Sequence, residues 1–180
     1  MKPPLQLDEL RAAFGHAKAE AERLTAGLGE AQLWQGPPDG GWSVGECLVH
    51  LCLVGEPYLP KLHDAVADAR AKGRTGRGPF AFGFLGERFV SSQAVGGNRV
   101  GTSKIFEPKP DPAALPRFLG LQDALLAICD EATGIDLARA TFKTPNLPLR
   151  LNLFEALNLL AVHQERHFVQ AAHVRAAQGG

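Results

Sequence analysis

Residues 152–174 read NLFEALNLLAVHQERHFVQAAHV, and the fold turns on how this stretch is read. On a helix His163 and His167 stand four residues apart, so their side chains lie about 40° apart around the axis, one turn above the other. Ala156, Leu159, Leu160, Gln170 and Val174 fall on the same side. The pair is therefore aimed at whatever this helix packs against, not at water. Burying polar groups without partners costs roughly a few kcal/mol, so two inward imidazoles need a reason. This spacing suits two ligands of one metal ion. The competing reading is a satisfied core pair, or surface decoration, and a third ligand elsewhere would decide between them.

The chain has 180 residues, a length that suits one domain, 1–180, with a hydrophobic core of its own. Lys+Arg and Asp+Glu balance at 19 each, so no basic excess draws the chain to nucleic acid or to an anionic membrane surface. No apolar run is long enough to span a bilayer. The opening MKPPLQLDEL has no apolar core followed by a small-residue cleavage site, which argues against a secretory signal. Cys47, Cys52 and Cys129 are an odd set with no framework spacing, and read as reduced thiols in a cytoplasmic protein.

Residues 8–28 form a first helix, with Asp8 as N-cap, glycines 27 and 29 as stop signals, and His16 on its exposed side. Residues 30–41, including GPPDGG, read as a connecting loop. The second helix starts clearly at WSVGE: Ser43 and Glu46 make a capping box, and Trp42 precedes it as a hydrophobic staple. Apolar residues then occupy almost its whole circumference, which means burial on several sides and points to a second subunit over part of that surface. Gly55 and Pro57 kink or divide this helix before YLPKLHDAVADARA, where His63 reads as surface.

From Lys72 to Pro112 the pattern dissolves. RAKGRTGRG reads as a flexible basic turn, GPFAFGFLGERFVSS as a short helix or cover on the bundle, and GGNRVGTSKIFEPKPDP as an extended strap. A third helix follows at about 112–133, with Leu115, Phe118, Leu119, Leu125, Leu126 and Ile128 as its core candidates. Residues 135–151 are a further irregular connection, and Asn152 with Glu155 caps the last helix. Long amphipathic helices without a convincing strand pattern predict an all-α protein, a four-helix bundle. The long link between the second and third helices implies a crossover and an up-down-down-up order.

His50 lies two turns into the most apolar helix, the only ionisable residue between Glu46 and Glu56. It is the natural third ligand. With His163 and His167 it gives three imidazoles and leaves positions free, which is the arrangement of a catalytic metal site rather than a structural one. Cys47, one turn before His50, is a rival ligand whose ordinary role is that of a small hydrophobe. Glu46, on the same side as His50, is the candidate orienting acceptor or general base, although its capping role already explains it. Gln170 and Arg166 flank the histidine pair, and His173 lies too far round the helix to join it.

The pieces WSVGECLVHL and LNLLAVHQERHFVQAAHV, with KIFEPKPDP and LPRFLGLQDALLAI between them, resemble the DinB-like superfamily over nearly the whole chain. That resemblance implies a frequently dimeric four-helix bundle in an up-down-down-up arrangement. It implies a divalent metal, often zinc or nickel, on a histidine triad that falls here on His50, His163 and His167. It does not fix one reaction. Relatives include enzymes that use low-molecular-weight thiols as cosubstrates, among them bacillithiol-dependent transferases and mycothiol-dependent maleylpyruvate isomerases. The leading expectation is therefore thiol-dependent S-transfer on a small-molecule substrate. Metal-assisted hydrolysis with Glu46 as base ranks second, and a non-catalytic, stress-related metal-binding or dimerisation module third. No nucleic acid and no membrane are expected as partners.

Overall fold

A computed structural model of the chain describes residues 3–38, 40–96, 103–145 and 148–178. The strap at 97–102 and positions 146 and 147 of the TPNLP connection lie outside the described residues. The architecture is mostly helical: α1 (Leu7–Thr25), α2 (Glu30–Leu33), α3 (Val44–Gly55), α4 (Tyr58–Ala71), α5 (Phe84–Gln93), α6 (Ala114–Glu131) and α7 (Leu153–Gln178). A 3-10 turn spans Lys104–Phe106. Two short strands, β1 (Thr141–Lys143) and β2 (Arg150–Asn152), pair antiparallel with Phe142 opposite Leu151.

α1 buries Leu10, Phe14, Ala17, Ala21 and Leu24, the stripe expected from its periodicity. Its cap is Gln6 rather than Asp8. The Gln6 amide N–H donates to Glu9 Oε2 at 2.7 Å, while the Asp8 carboxylate is held by Arg11 at 2.5 Å. Glu9 stands three residues past Gln6, the reach a capping carboxylate needs. α1 and α3 both pack on α6 and α7. Arg11 reaches Asp130 and Lys18 reaches Asp123 on α6. Leu5 and Asn158 exchange two hydrogen bonds at 2.8 and 3.0 Å at the start of α7, and Arg175 near its end donates to the Ala26 carbonyl.

The cap of α3 is the predicted one: Glu46 N–H donates to Ser43 Oγ at 3.1 Å, and Ser43 N–H donates to Glu46 Oε2 at 2.8 Å. Gly55 divides α3 from α4 at a point of close approach. A Cβ there would lie 2.7 Å from Leu121 Cδ2, so a larger residue would force the Leu121 side chain on α6 to shift. Arg117 locks the junction through Glu56 at 2.8 Å and Asp111 at 2.5 Å. Most of α3 is covered within the chain, including its first turn, where the Trp34 ring fills the space beside Gly45.

Three connections are more ordered than expected. α2 interrupts the predicted 30–41 loop, since only the GPPDGG half of that stretch carries helix breakers. The β1–β2 hairpin replaces an irregular 135–151 link; three-residue strands are too short for a period-2 pattern to stand out. The basic turn after α4 is pinned by a Thr75–Ile135 bridge and by Gly76 N–H donating to the Gly134 carbonyl at 3.0 Å.

The cover over the bundle is α5 with the residues before it. The Gln6 side-chain amide pairs with the Phe80 backbone in both directions, at 2.8 and 3.1 Å, and the Phe80 and Phe82 rings lie on Phe154. Glu155 caps α7 by accepting from Asn152 N–H and also accepts from Gly83 N–H, both at 3.1 Å, so one carboxylate holds the starts of α7 and α5 together. Among the described residues no helix is long and apolar enough to cross a membrane.

Candidate metal centre

α3 and α7 bring three histidines together. The ligand nitrogens of His50, His163 and His167 all lie within 4.8 Å of one another, and they form the one such cluster of potential metal ligands among the described residues. His50 and His167 are buried and His163 is half-buried.

Two of the rings are oriented by acceptors. His50 Nδ1 donates to the Phe106 carbonyl at 2.8 Å, and His167 Nδ1 donates to Gln170 Oε1 at 3.1 Å. A proton on Nδ1 leaves the Nε2 lone pair turned to the centre, the second-sphere arrangement that fixes the tautomer of a metal-binding imidazole. His50 Nε2 and His163 Nε2 stand 3.1 Å apart. His163 Nδ1 is buried without a hydrogen-bond partner.

Burial controls the proton affinity of all three. It is the main cause that pushes His167 down to about 3, followed by the nearby His50, with the Gln170 bond working the other way. His163 lies well below the usual imidazole range through burial, then through His167, His50 and Arg166. His50 is lowered by burial and partly restored by its bond to Phe106. At neutral pH the cluster is three uncharged imidazoles with lone pairs available.

The donor set fits a divalent cation. Tetrahedral zinc with Zn–N of about 2.0–2.1 Å places neighbouring nitrogens about 3.3 Å apart, close to the 3.1 Å between His50 and His163. In either tautomer of His163 the free protein leaves a cost. A proton on Nε2 leaves a buried, unpartnered Nδ1 lone pair, and a proton on Nδ1 sets two Nε2 lone pairs face to face. A cation shared by the Nε2 atoms relieves the second arrangement.

A model of the DinB superfamily matches residues 13–171. The chain belongs to that superfamily. A solved DinB-like structure, YfiT from Bacillus subtilis, superposes with a TM-score of 0.64 at 17% identity, covering 99% of this chain and 94% of its own. It is described as a probable metal-dependent hydrolase with an unusual four-helix bundle topology, and at this identity the likeness is one of fold. No curated protein matches.

This DinB chain brings His50 to the His163/His167 pair as its sequence suggests, and leaves His16, His63 and His173 exposed and away from it. Cys47 is buried outside the cluster, its thiol pushed up to about 12 mainly by burial. The Glu46 carboxylate is engaged by Ser43, whose Oγ–H donates to Oε2 at 2.9 Å beside the backbone bond. Two participants were not legible as such. One is the Phe106 carbonyl, a backbone group in a poorly patterned strap. The other is Trp42, whose ring centroid lies 4.4 Å from that of His50 and 5.4 Å from that of His167. Its position before the cap suggested only a staple.

Proposed function

We propose that this DinB-superfamily chain is a metal-dependent enzyme working at His50, His163 and His167, and that its reaction is thiol-dependent S-transfer to a small electrophilic substrate. The observation that carries the reading is the meeting of three neutral imidazoles with no fourth protein ligand beside them among the described residues. Zinc or nickel is the proposed ion, since three imidazoles suit both. When bound, such an ion supplies Lewis acidity, which deprotonates a thiol outright and brings water towards a pKa of about 7. The first chemistry needs no protein base and the second benefits from one. His50 and His167 hold their Nε2 lone pairs on the centre through Phe106 and Gln170. Burial keeps all three rings uncharged.

Metal-assisted hydrolysis is the second reading, favoured by the similarity to YfiT. It takes Glu46 as general base, which requires the carboxylate to exchange Ser43 for a water. A hydrolase of that kind loses roughly 10²–10⁴-fold in turnover in Glu46→Gln at unchanged metal content.

The wider proposal is a single-domain, cytoplasmic protein with no nucleic-acid or membrane partner and an up-down-down-up bundle crossed between α3 and α6. The pairings of Arg11 with Asp130, Leu5 with Asn158 and Trp42 with His167 support that order. A homodimer belongs to the same proposal, supported by Phe84 and Leu85, which α5 leaves exposed.

Elemental analysis of protein purified without added metal tests the centre, with about one divalent ion per chain expected. His163→Ala with full occupancy would sink the assignment. Incubation with a panel of biological thiols and electrophiles, read by mass spectrometry, tests the reaction. A thiol–electrophile adduct supports transfer, hydrolysed product overturns it in favour of the second reading, and metal uptake with no turnover leaves a binding module.

A further inference from the structure

We infer that Trp42 is a positioning residue of the histidine cluster, its indole holding the His50 and His167 rings at the angle the centre needs. The inference rests on the metal reading above and concerns a residue outside the ligand set.

Outside the cluster each of the two rings has one hydrogen bond, at Nδ1, to Phe106 and to Gln170, and His50 Nε2 also meets His163 Nε2 at 3.1 Å. With Cβ held by the backbone, such a bond leaves the ring chiefly one freedom, a rotation about the line from Cβ to Nδ1. A flat neighbour removes this freedom, because stacked and tilted aromatic contacts prefer defined offsets. Trp42 supplies such a neighbour to both rings at once: it lies at 43° to His50 and at 25°, nearly stacked, on His167. The two histidines come from different helices, so one indole couples α3 to α7 at the centre itself.

The placement of Trp42 is also determined. Its successor Ser43 is tied on both its N–H and its hydroxyl to Glu46, which fixes the backbone from which the indole projects. Trp42 is half-buried, so its ring closes one side of the cluster. The capping box thereby acts on the centre through an aromatic wall, while its own Glu46 carboxylate stays on Ser43.

The test uses zinc(II) alone as probe, by competition with a chelating dye, and the emission of Trp42 in a Trp34→Phe background where it is the only indole. The expected result is a saturable change in Trp42 emission that tracks the uptake of one ion per chain. Trp42→Phe should bind within about threefold of its parent, while Trp42→Ala and Trp42→Leu should each bind about tenfold more weakly or worse, the scale of losing an orienting neighbour. Leu keeps the bulk without the flat face, so it carries the test if Ala does not fold. Emission that ignores zinc, or a Leu variant as tight as Phe, overturns the positioning role and leaves the metal reading standing. A parent that takes up no zinc or other divalent ion overturns both.

Discussion

Ser43 closes the first turn of α3 with bonds in both directions to Glu46, and the bonds are of different worth. The hydroxyl satisfies the Glu46 N–H, one of the orphan donors of the helix end. Replacing it by alanine removes that acceptor in a fully buried position. Ser43→Ala is expected to lose about 1 kcal/mol, a fall in melting temperature of roughly 2–4 °C for a chain of this size. Glu46→Gln keeps an acceptor at the same position and is expected to stay within about 0.5 kcal/mol, since Gln serves a capping box as Glu does. Urea titrations of the two variants check the contrast, and equal losses would contradict it. His50 was legible in the sequence because an ionisable residue alone in an apolar helix stands out. Trp42 was not, because a tryptophan before a cap looks the same whether it meets a leucine or an imidazole.

Among the elements, those with a long apolar period were readable, and a cap sharpened where they begin. α3 and α7 announce themselves by Ser43–Glu46 and Asn152–Glu155, and α1 by its stripe. α5 could be read as a short helix or a cover but not placed, because what fixes it is a residue on another helix. Glu155 accepts from Gly83 N–H, and a Cβ on Gly86 would fall 2.1 Å from the same carboxylate oxygen. That oxygen cannot swing away cheaply, because Glu155 is buried and its second oxygen caps α7. Gly86→Ala is therefore expected to push α5 off α7 and to cost about 1–3 kcal/mol, the usual range for overpacking. Hydrogen exchange over 83–93 and the urea midpoint should both report it. A variant as stable as the parent would mean that α5 rides on α7 without this contact.

For the whole molecule, the centre links folding to pH and to metal. The three histidines are held neutral in the fold, with His167 lowered from 6.5 to about 3 and His163 and His50 lowered as well. In the unfolded chain imidazoles take up protons below about 6.5. Between that pH and the lowered folded value the unfolded state binds more protons, so stability rises with pH across this window. Metal-free protein should accordingly hold its full stability above about pH 6.5 and lose it steadily as the pH falls towards 3. A bound ion adds to stability in the same sense, because only the folded chain assembles the three ligands. At a hundredfold excess over its dissociation constant the gain is about 2.7 kcal/mol, or roughly 5–10 °C in melting temperature for this chain length. The gain should shrink as acid competes for the imidazoles. Melting curves with zinc and with chelator, taken from pH 8 to pH 5, measure both effects together, and His163→Ala should abolish the difference between the two sets. A chelator-sensitive melting temperature that survives in His163→Ala would place the stabilising ion somewhere other than this cluster.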